Sequence, residues 1–165
     1  NRCRTAAGSR RLRRALIRPY KDKARIDLRL SGVDELVRHR DLCTRLGETL
    51  KAAPDLEKLA GRVGIGKLNP RQAASLGQAL KIARDLAAFL SPARSDLLSQ
   101  LRGAFPDTSE LIAVLDRALV EEPPLVANKG GIFNRGCSDR LDELNDSIRA
   151  AREYIGSLQQ VERSA

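Results

Sequence analysis

Apolar side chains recur along this chain at spacings of three and four residues, the period of an α-helix, and rarely alternate at period two. Proline- and glycine-containing stretches divide this pattern. It predicts a helix that ends at Pro19, a helical stretch from Asp22 to Pro54, and helices over residues 55–63, 70–90, 95–101, from 107 or 108 to about 120, and 138–163. Residues 125–137 form one irregular, Gly-rich segment, with some strand character at 130–133. The predicted fold class is therefore all-α.

The clearest helix starts are marked by capping residues. Asp22 is a predicted N-cap, and four apolar residues follow it on one helical face: Ile26, Leu30, Val33 and Val37. Leu42, Leu46 and Leu50 continue the pattern towards Pro54. Asn69 is predicted to cap the next long helix, with Pro70 at its first position. The apolar stripe of that helix contains Leu76, Leu80, Ile82 and Ala83.

Composition fits a helical core without large side chains. Of the 165 residues, 42% are hydrophobic and only 3% aromatic, with neither Met nor Trp, so Leu and Ala must fill the interior. We expect one helical domain over residues 1–165. No apolar run is long enough to span a bilayer, and no signal pattern opens the chain. A cytoplasmic protein is expected (nucleoid-associated if bacterial), or a nuclear one if eukaryotic. The missing initiator Met suggests a piece of a longer polypeptide.

Charge is distributed very unevenly. The whole net charge of +9 lies in the first 29 residues, which carry eleven Lys or Arg and two acidic residues. Such a block meets either phosphate or an acidic protein surface. Its densest part surrounds one predicted helix: Arg10, Arg11, Arg13, Arg14 and Arg18. Tyr20 is the only aromatic residue nearby that could stack on a base. Composition alone leaves nucleic acid and protein equally open as partners.

Two motifs resemble catalytic or ligand-binding sites. Residues 61–67, GRVGIGK, fit the first seven positions of a phosphate-binding loop, but Leu68 replaces the Ser or Thr that holds magnesium, and no strand precedes the motif. We interpret it as a loop. Four acidic residues lie along one side of the last predicted helix: Asp139, Asp142, Glu143 and Asp146. We interpret them as a solvated helix start that complements the dipole.

Other candidate groups are sparse. His39 is the only histidine, between Arg38 and Arg40, and is expected to be a solvated surface residue. Three cysteines, Cys3, Cys43 and Cys137, lie too far apart for a metal motif and are expected to be reduced thiols. The chain is expected to have no catalytic residues, no metal site and no cofactor of its own.

A family resemblance extends over nearly the whole chain. Residues 5–19, TAAGSRRLRRALIRP, resemble the pattern T-x-x-G-x-R-x-L-R-x-W-L-x-x-P that opens the core (lever) domain of MutS-family mismatch-repair ATPases. Residues 54–59, 69–71 and 121–124 continue the resemblance in order. Residues 130–144, GGIFNRGCSDRLDEL, are similar to the family's G-G-x-I-x-x-G-x-x-x-x-L-D-E-L. Ala15 stands where the family usually has Trp, and Cys137-Ser138 where it usually has Tyr-Asp, as in a divergent paralogue with its own lesion preference.

The resemblance implies a mechanical function. The chain would be the first half of the helical lever between the ATPase and the DNA clamp, ending near the entry to the clamp. The full-length protein would bind ATP, Mg²⁺, mismatched duplex DNA and a second subunit. The family's Phe-x-Glu wedge is not found here, because none of Phe89, Phe105 and Phe133, which precede Leu, Pro and Asn, has Glu two positions later. The basic helix would then contact other domains of the same protein.

Three alternatives follow from this sequence. The first is the lever segment, whose last helix would expose an apolar stripe of Leu141, Leu144, Ile148, Ile155 and Leu158 and promote self-association. The second is a stand-alone helical nucleic-acid-binding module acting through the arginines of residues 10–18. The third is a helical protein-interaction scaffold unrelated to repair.

Overall fold

Helices account for most of the backbone. The structure is a computed structural model that describes residues 2–164, and the side chains of residues 2–157. Its described part contains eight α-helices: α1 (Ala6–Ile17), α2 (Lys23–Arg38), α3 (Arg40–Lys51), α4 (Leu56–Gly64), α5 (Pro70–Phe89), α6 (Asp96–Gly103), α7 (Ser109–Ala118) and α8 (Asp139–Ser164). One short 3₁₀ helix follows α7 at Ala127–Lys129. The all-α prediction is confirmed.

Side-chain caps start several of these helices where the sequence predicts them. The Asp22 carboxylate accepts a hydrogen bond from the N–H of Ala24 at 3.0 Å at the start of α2. At α5, the Asn69 side chain accepts from the N–H of Gln72, and the Gln72 side chain accepts from the N–H of Asn69. This reciprocal pair satisfies two backbone donors that the first helical turn leaves open. Both predicted N-caps are confirmed.

α5 is the centre of the packed body. It contacts α3, α4, α6 and α7, while α2 packs on α3 and α6. The buried apolar side chains are small or aliphatic: Leu59, Ala79, Ile82, Leu90, Ala93, Leu98 and Ile112. Leu36, Leu46 and Phe105 pack around three of them. Other helices contact α5 on more than one side, so Gly77 and Ala79, which lie outside the predicted stripe, are buried together with Ile82. The other members of that stripe, Leu76, Leu80 and Ala83, are only half-buried.

Two tight contacts join α2 to α6. Gly32 is buried, and a Cβ atom built on it would lie 2.7 Å from Cδ2 of Leu97. Three residues further along α2, the Glu35 carboxylate accepts hydrogen bonds from the N–H groups of Arg94 and Ser95, each at 2.7 Å. The helices therefore approach closely at the glycine and are linked at the start of α6.

The helical pattern between Asp22 and Pro54 is interrupted at His39. Its ψ of 71° lies outside the helical region and separates α2 from α3. This bend allows α2 to pack on α6 while α3 packs on α5. His39 is exposed, as expected. The face of α2 that carries Ile26, Leu30, Val33 and Val37 is exposed as well.

The connection between α7 and α8 is irregular, as predicted, but α7 ends earlier than the two prolines imply. Its last residue is Ala118, and Leu119 is extended and forms an isolated antiparallel bridge with Phe133. The Asn134 side chain donates to the carbonyl oxygens of Asp116, Arg117 and Leu119, the shortest distance being 2.7 Å. These bonds occupy carbonyl groups that the helix end leaves open.

α1 and α8 lie outside this packed body. Neither packs extensively against another helix within the part of the chain described. α8 has 26 residues and a length of about 39 Å. Of its predicted stripe, Leu144, Ile148 and Ile155 are exposed, Leu141 is half-buried, and Leu158 lies outside the described side chains. The total accessible surface is 12643 Å², whereas a compact monomer of 18.1 kDa exposes roughly 8,100 Å².

Candidate interdomain interface

The arginines of the basic helix fall into separate environments. α1 begins after Thr5, whose hydroxyl accepts from the N–H of Gly8, and it contains no buried residue. Arg10 is directed to another helix, whereas Arg13 is exposed and forms no ion pair with any described residue. Arg11, Arg14 and Arg18 line one shallow cavity of about 410 Å³. Three of the five predicted contact residues are thus brought together.

Arg10 links α1 to the start of α4. Its guanidinium donates two hydrogen bonds to Asp55, at 2.9 and 2.8 Å, and two to Oε2 of Glu57, at 2.9 and 2.6 Å. Asp55 also accepts from the N–H of Lys58 as the N-cap of α4. Hydrogen bonding to Arg10 lowers the pKa of Asp55 to about 2, and the pKa of Arg10 rises in return. Arg10 therefore has an internal partner, although it was predicted to contact another domain or DNA.

Tyr20 organises the remaining arginines. Its hydroxyl accepts a hydrogen bond from Arg11 at 2.9 Å. The guanidinium carbons of Arg25 and Arg29 lie 4.9 and 5.8 Å from the centre of its ring, within cation–π distance. The Tyr20 cluster comprises Tyr20 and five arginines: Arg11, Arg14, Arg18, Arg25 and Arg29. Arg25 and Arg29 were not predicted to belong to this site, although a tyrosine between two basic helices is a signal that could have indicated it.

The cluster carries uncompensated charge. Within the residues described, no carboxylate lies at ion-pair distance from any of its five arginines. Apolar side chains are exposed next to it, because Ile17 lines the same cavity and Leu16 is 75% exposed. The surface is therefore both positively charged and apolar, which differs from a purely phosphate-binding surface.

The phosphate-loop-like motif does not fit a nucleotide. Its first four residues, 61–64, complete α4, and only residues 65–69 form a loop. The N–H groups of Gly66 and Lys67 donate to the carbonyl oxygens of Val63 and Arg62. These donors are bonded within the chain's own turn and do not point towards a phosphate. We therefore assign no binding of ATP or Mg²⁺ to these residues.

The acidic residues of α8 are engaged in local bonds. Arg135 donates two hydrogen bonds to Asp146, the shorter at 2.7 Å, and Arg149 also contacts Asp146. Arg135, and to a smaller extent Arg149, lowers the pKa of Asp146. Asp142 accepts from the N–H of Gly136 at 2.7 Å. Together these bonds attach the Gly-rich segment to the start of α8. Among the described residues, no group of three or more His, Cys, Asp or Glu side chains is placed to hold a metal ion.

Two further properties of the described chain bear on its environment. Cys3, Cys43 and Cys137 are all exposed, and no disulfide joins them. None of the helices in the described residues has the length and apolar composition needed to cross a bilayer.

The body centred on α5, the exposed basic helix and the extended α8 define an all-α core domain with a large uncovered surface. A family model described as MutS domain III matches residues 1–164. The chain belongs to this family, and it is a MutS-family core (lever) domain of the mismatch-repair class.

Curated relatives agree with this assignment. The DNA mismatch repair protein MutS of Synechococcus sp. (strain JA-2-3B'a(2-13)) is 36% identical over 160 residues, which are 97% of this chain and 18% of the relative. The protein of the same name from Synechococcus elongatus is 37% identical over 161 residues, covering 98% of this chain and 18% of the relative. The protein of the same name from Brevibacillus brevis is 32% identical over 165 residues, covering 100% of this chain and 19% of the relative. The chain thus spans about a fifth of the length of these relatives.

Proposed function

We propose that this chain is a structural and allosteric lever segment of a DNA mismatch-recognition ATPase, without catalytic activity of its own. The observation that carries the proposal is the combination of a MutS domain III match over residues 1–164 with a long α8 that extends beyond a packed helical body. Packed bodies and continuous helices are both rigid elements, so a displacement at one end of α8 is transmitted to its other end and, through the bonds of Arg135 and Gly136 to the start of α8, to the residues before it. We further propose that residues 1–165 act as one helical unit.

The full-length protein supplies the chemistry in this proposal. It would bind ATP and Mg²⁺ in a nucleotide-binding domain, contact mismatched duplex DNA through a clamp, and pair with a second subunit in the cytoplasm. The chain would connect the first two of these parts. Arg11, Arg13, Arg14 and Arg18 would contact neighbouring domains of the same protein, supported by the exposed Leu16 and Ile17 next to them.

Distance measurements in the full-length protein test the lever. Spin labels at Arg62→Cys and Ser147→Cys, in a background in which the three exposed native cysteines are Ser, report the distance between α4 and α8. A second pair of spin labels, at Ser147→Cys and at a residue of the clamp, reports the distance between α8 and the clamp. We expect the first distance to stay constant when nucleotide binds and the second to change. A change within the first pair, or ATP turnover by the isolated chain, would overturn the proposal.

A second candidate is a stand-alone nucleic-acid-binding module, and the observation in its support is the uncompensated charge of the arginines in the Tyr20 cluster. Titration of the chain with heteroduplex and with random duplex at two salt concentrations separates the two candidates. Tight binding with a steep salt dependence, lost in Arg14→Glu and Arg18→Glu, supports the module. Weak binding that these changes leave unaltered supports the lever.

A further inference from the structure

α2 is apolar on two separate sides, whose centres lie about 130° apart around the helix axis. One side contains the half-buried Leu28, the buried Gly32 and Leu36, which packs on the core. The other side carries four exposed apolar residues, between 38% and 63% exposed: Ile26, Leu30, Val33 and Val37. An apolar stripe on a helix of a folded protein normally faces a neighbouring element. In this structure only one of the two sides is covered.

The exposed residues have the spacing of a helix–helix contact. They follow one another at intervals of four, three and four residues, and at about 100° per residue they fall within roughly 60° of each other. This is the seam spacing that packs a second helix alongside at a crossing angle of about 20°. The seam is about 16 Å long, which is three turns.

The two borders of this seam differ in charge. On one side, Lys23 pairs with Asp27 and Arg38 pairs with Asp34, so the charges cancel. On the other side, Arg25 and Arg29 lie over the ring of Tyr20 and no carboxylate of the described chain approaches them. A helix docked on the seam would therefore meet uncompensated positive charge along one border only.

We propose that this α2 docking face (Ile26, Leu30, Val33 and Val37, bordered by Arg25 and Arg29) binds an amphipathic helix that carries carboxylates along one flank. The helix comes from the same polypeptide, outside the region described. This inference rests on the proposed function, in which the chain is one part of a longer protein. The carboxylates pair with Arg25 and Arg29, and the apolar stripe of the partner helix covers Leu30 and Val33.

The apolar content of the face and the length of the curated relatives together indicate the source of the helix. A nucleic acid would neutralise the arginines but would leave the four apolar side chains in water. An amphipathic helix covers both kinds of side chain at once, with its apolar stripe on the seam and its polar flank on the arginines. The accessible surface of 12643 Å² leaves ample area for such contacts, and the curated relatives have about four-fifths of their length outside the matched region.

Photo-crosslinking in the full-length protein tests the docking face. Val33 is replaced by p-benzoylphenylalanine, and Thr44, an exposed residue of α3, receives the same change as the control. We expect a cross-link from position 33 to a helical peptide of the same polypeptide that contains Asp or Glu, and none from position 44. A product of doubled mass, a cross-link to DNA, a cross-link to a peptide without acidic residues, or no product would each overturn the proposal.

A charge reversal tests the basic border separately. Arg29→Glu should lower the cross-linking yield from position 33 several-fold, whereas Lys58→Glu, the same charge reversal on the exposed surface of α4, should leave it unchanged. Equal yields in both variants would contradict the pairing with carboxylates. The cross-linking experiment needs no nucleotide, so its result is independent of whether α8 is displaced when nucleotide binds. Failure of the docking face and failure of the lever are therefore distinguishable.

Discussion

The carboxylate of Glu35 accepts a hydrogen bond from the backbone N–H of Ser95 at 2.7 Å, although 60 residues separate the two along the chain. Its other oxygen accepts from the N–H of Arg94 at the same distance. Ser95 is the N-cap of α6, and its own side chain makes no capping bond to that helix. A residue of α2 therefore fixes the backbone at the start of α6, and the ionised carboxylate also faces the positive end of that helix.

Neutralising Glu35 should destabilise the fold. Glu35→Ala removes an acceptor shared by two backbone donors, so we expect the free energy of unfolding in urea to fall by about 1–3 kcal/mol at pH 7. Glu35→Gln keeps one acceptor oxygen and should cost less. Glu153→Gln, on the exposed surface of α8, is the control and should change little. An equal loss in the Glu35 and Glu153 variants would show that the bonds to α6 contribute nothing.

The same site predicts a pH dependence. The side chain of Ser95 and the N–H of Arg94 lower the pKa of Glu35 from its usual 4.5. A group whose pKa is lower in the folded state stabilises that state above its unfolded pKa, and this contribution is lost as the pH falls through the folded value. The difference in unfolding free energy between the native chain and Glu35→Gln should therefore shrink below pH 4.5. A difference that grows in acid would contradict this assignment.

Local signals in the sequence predict the helices well, because caps and prolines act within a few residues. Asp22 and Asn69 mark the starts of α2 and α5 for this reason. Contacts between distant residues carry no such signal. The pairing of Arg10 with Asp55, and that of Glu35 with Ser95, depend on how the helices are arranged. Charge singles out the arginines of residues 10–18 as candidates, but charge alone cannot show which of them already has an internal partner.

The close approach of α2 and α6 predicts opposite effects for two glycines. In Gly32→Ala the new methyl group would meet Leu97, so we expect the unfolding free energy to fall by about 1 kcal/mol. In Gly47→Ala, within α3, the methyl group enters open space, and the better helix propensity of Ala should stabilise the fold by about 0.5–1 kcal/mol. Urea denaturation measures both. Equal stabilisation by the two variants would mean that Leu97 moves aside without cost.

Loss of the Arg10 ion pairs should release α1. A spin label on Ala7→Cys should become more mobile in Arg10→Ala, because α1 has no buried residue to hold it in place. Arg13→Ala, which removes an exposed arginine from the same helix, is the matched control. Since the pKa of Asp55 is about 2, compared with the ordinary 3.8, the ion pair persists below pH 3.8 and is lost as the pH approaches 2. If label mobility already rises between pH 6 and pH 5, a group other than Asp55 holds α1 in place.

The amide of Asn134 should be required at the end of α7. Asn134→Asp replaces a donor with an acceptor that faces the carbonyl oxygens of Asp116 and Leu119, so we expect a loss of about 1–3 kcal/mol in unfolding free energy. Asn128→Asp, in the exposed 3₁₀ turn, introduces the same charge nearby and serves as the control. Because protonation restores a donor, the Asn134→Asp defect should lessen in acid. An equal loss of unfolding free energy in the two variants would mean that the loss comes from the added negative charge alone.

The exposed stripe of α8 should make the isolated chain self-associate. Leu144, Ile148 and Ile155 present apolar surface along one side of a helix that packs extensively against no other described helix. Introducing a charge there with Ile148→Asp should lower the apparent mass measured by light scattering across a concentration series. Ala150→Asp adds the same charge about 200° around the helix from Ile148, and it should leave the mass unchanged. Self-association requires an exposed apolar surface that another copy can contact. If light scattering shows that the native chain is a monodisperse monomer, the apolar stripe of α8 is covered by the chain's own helices in solution.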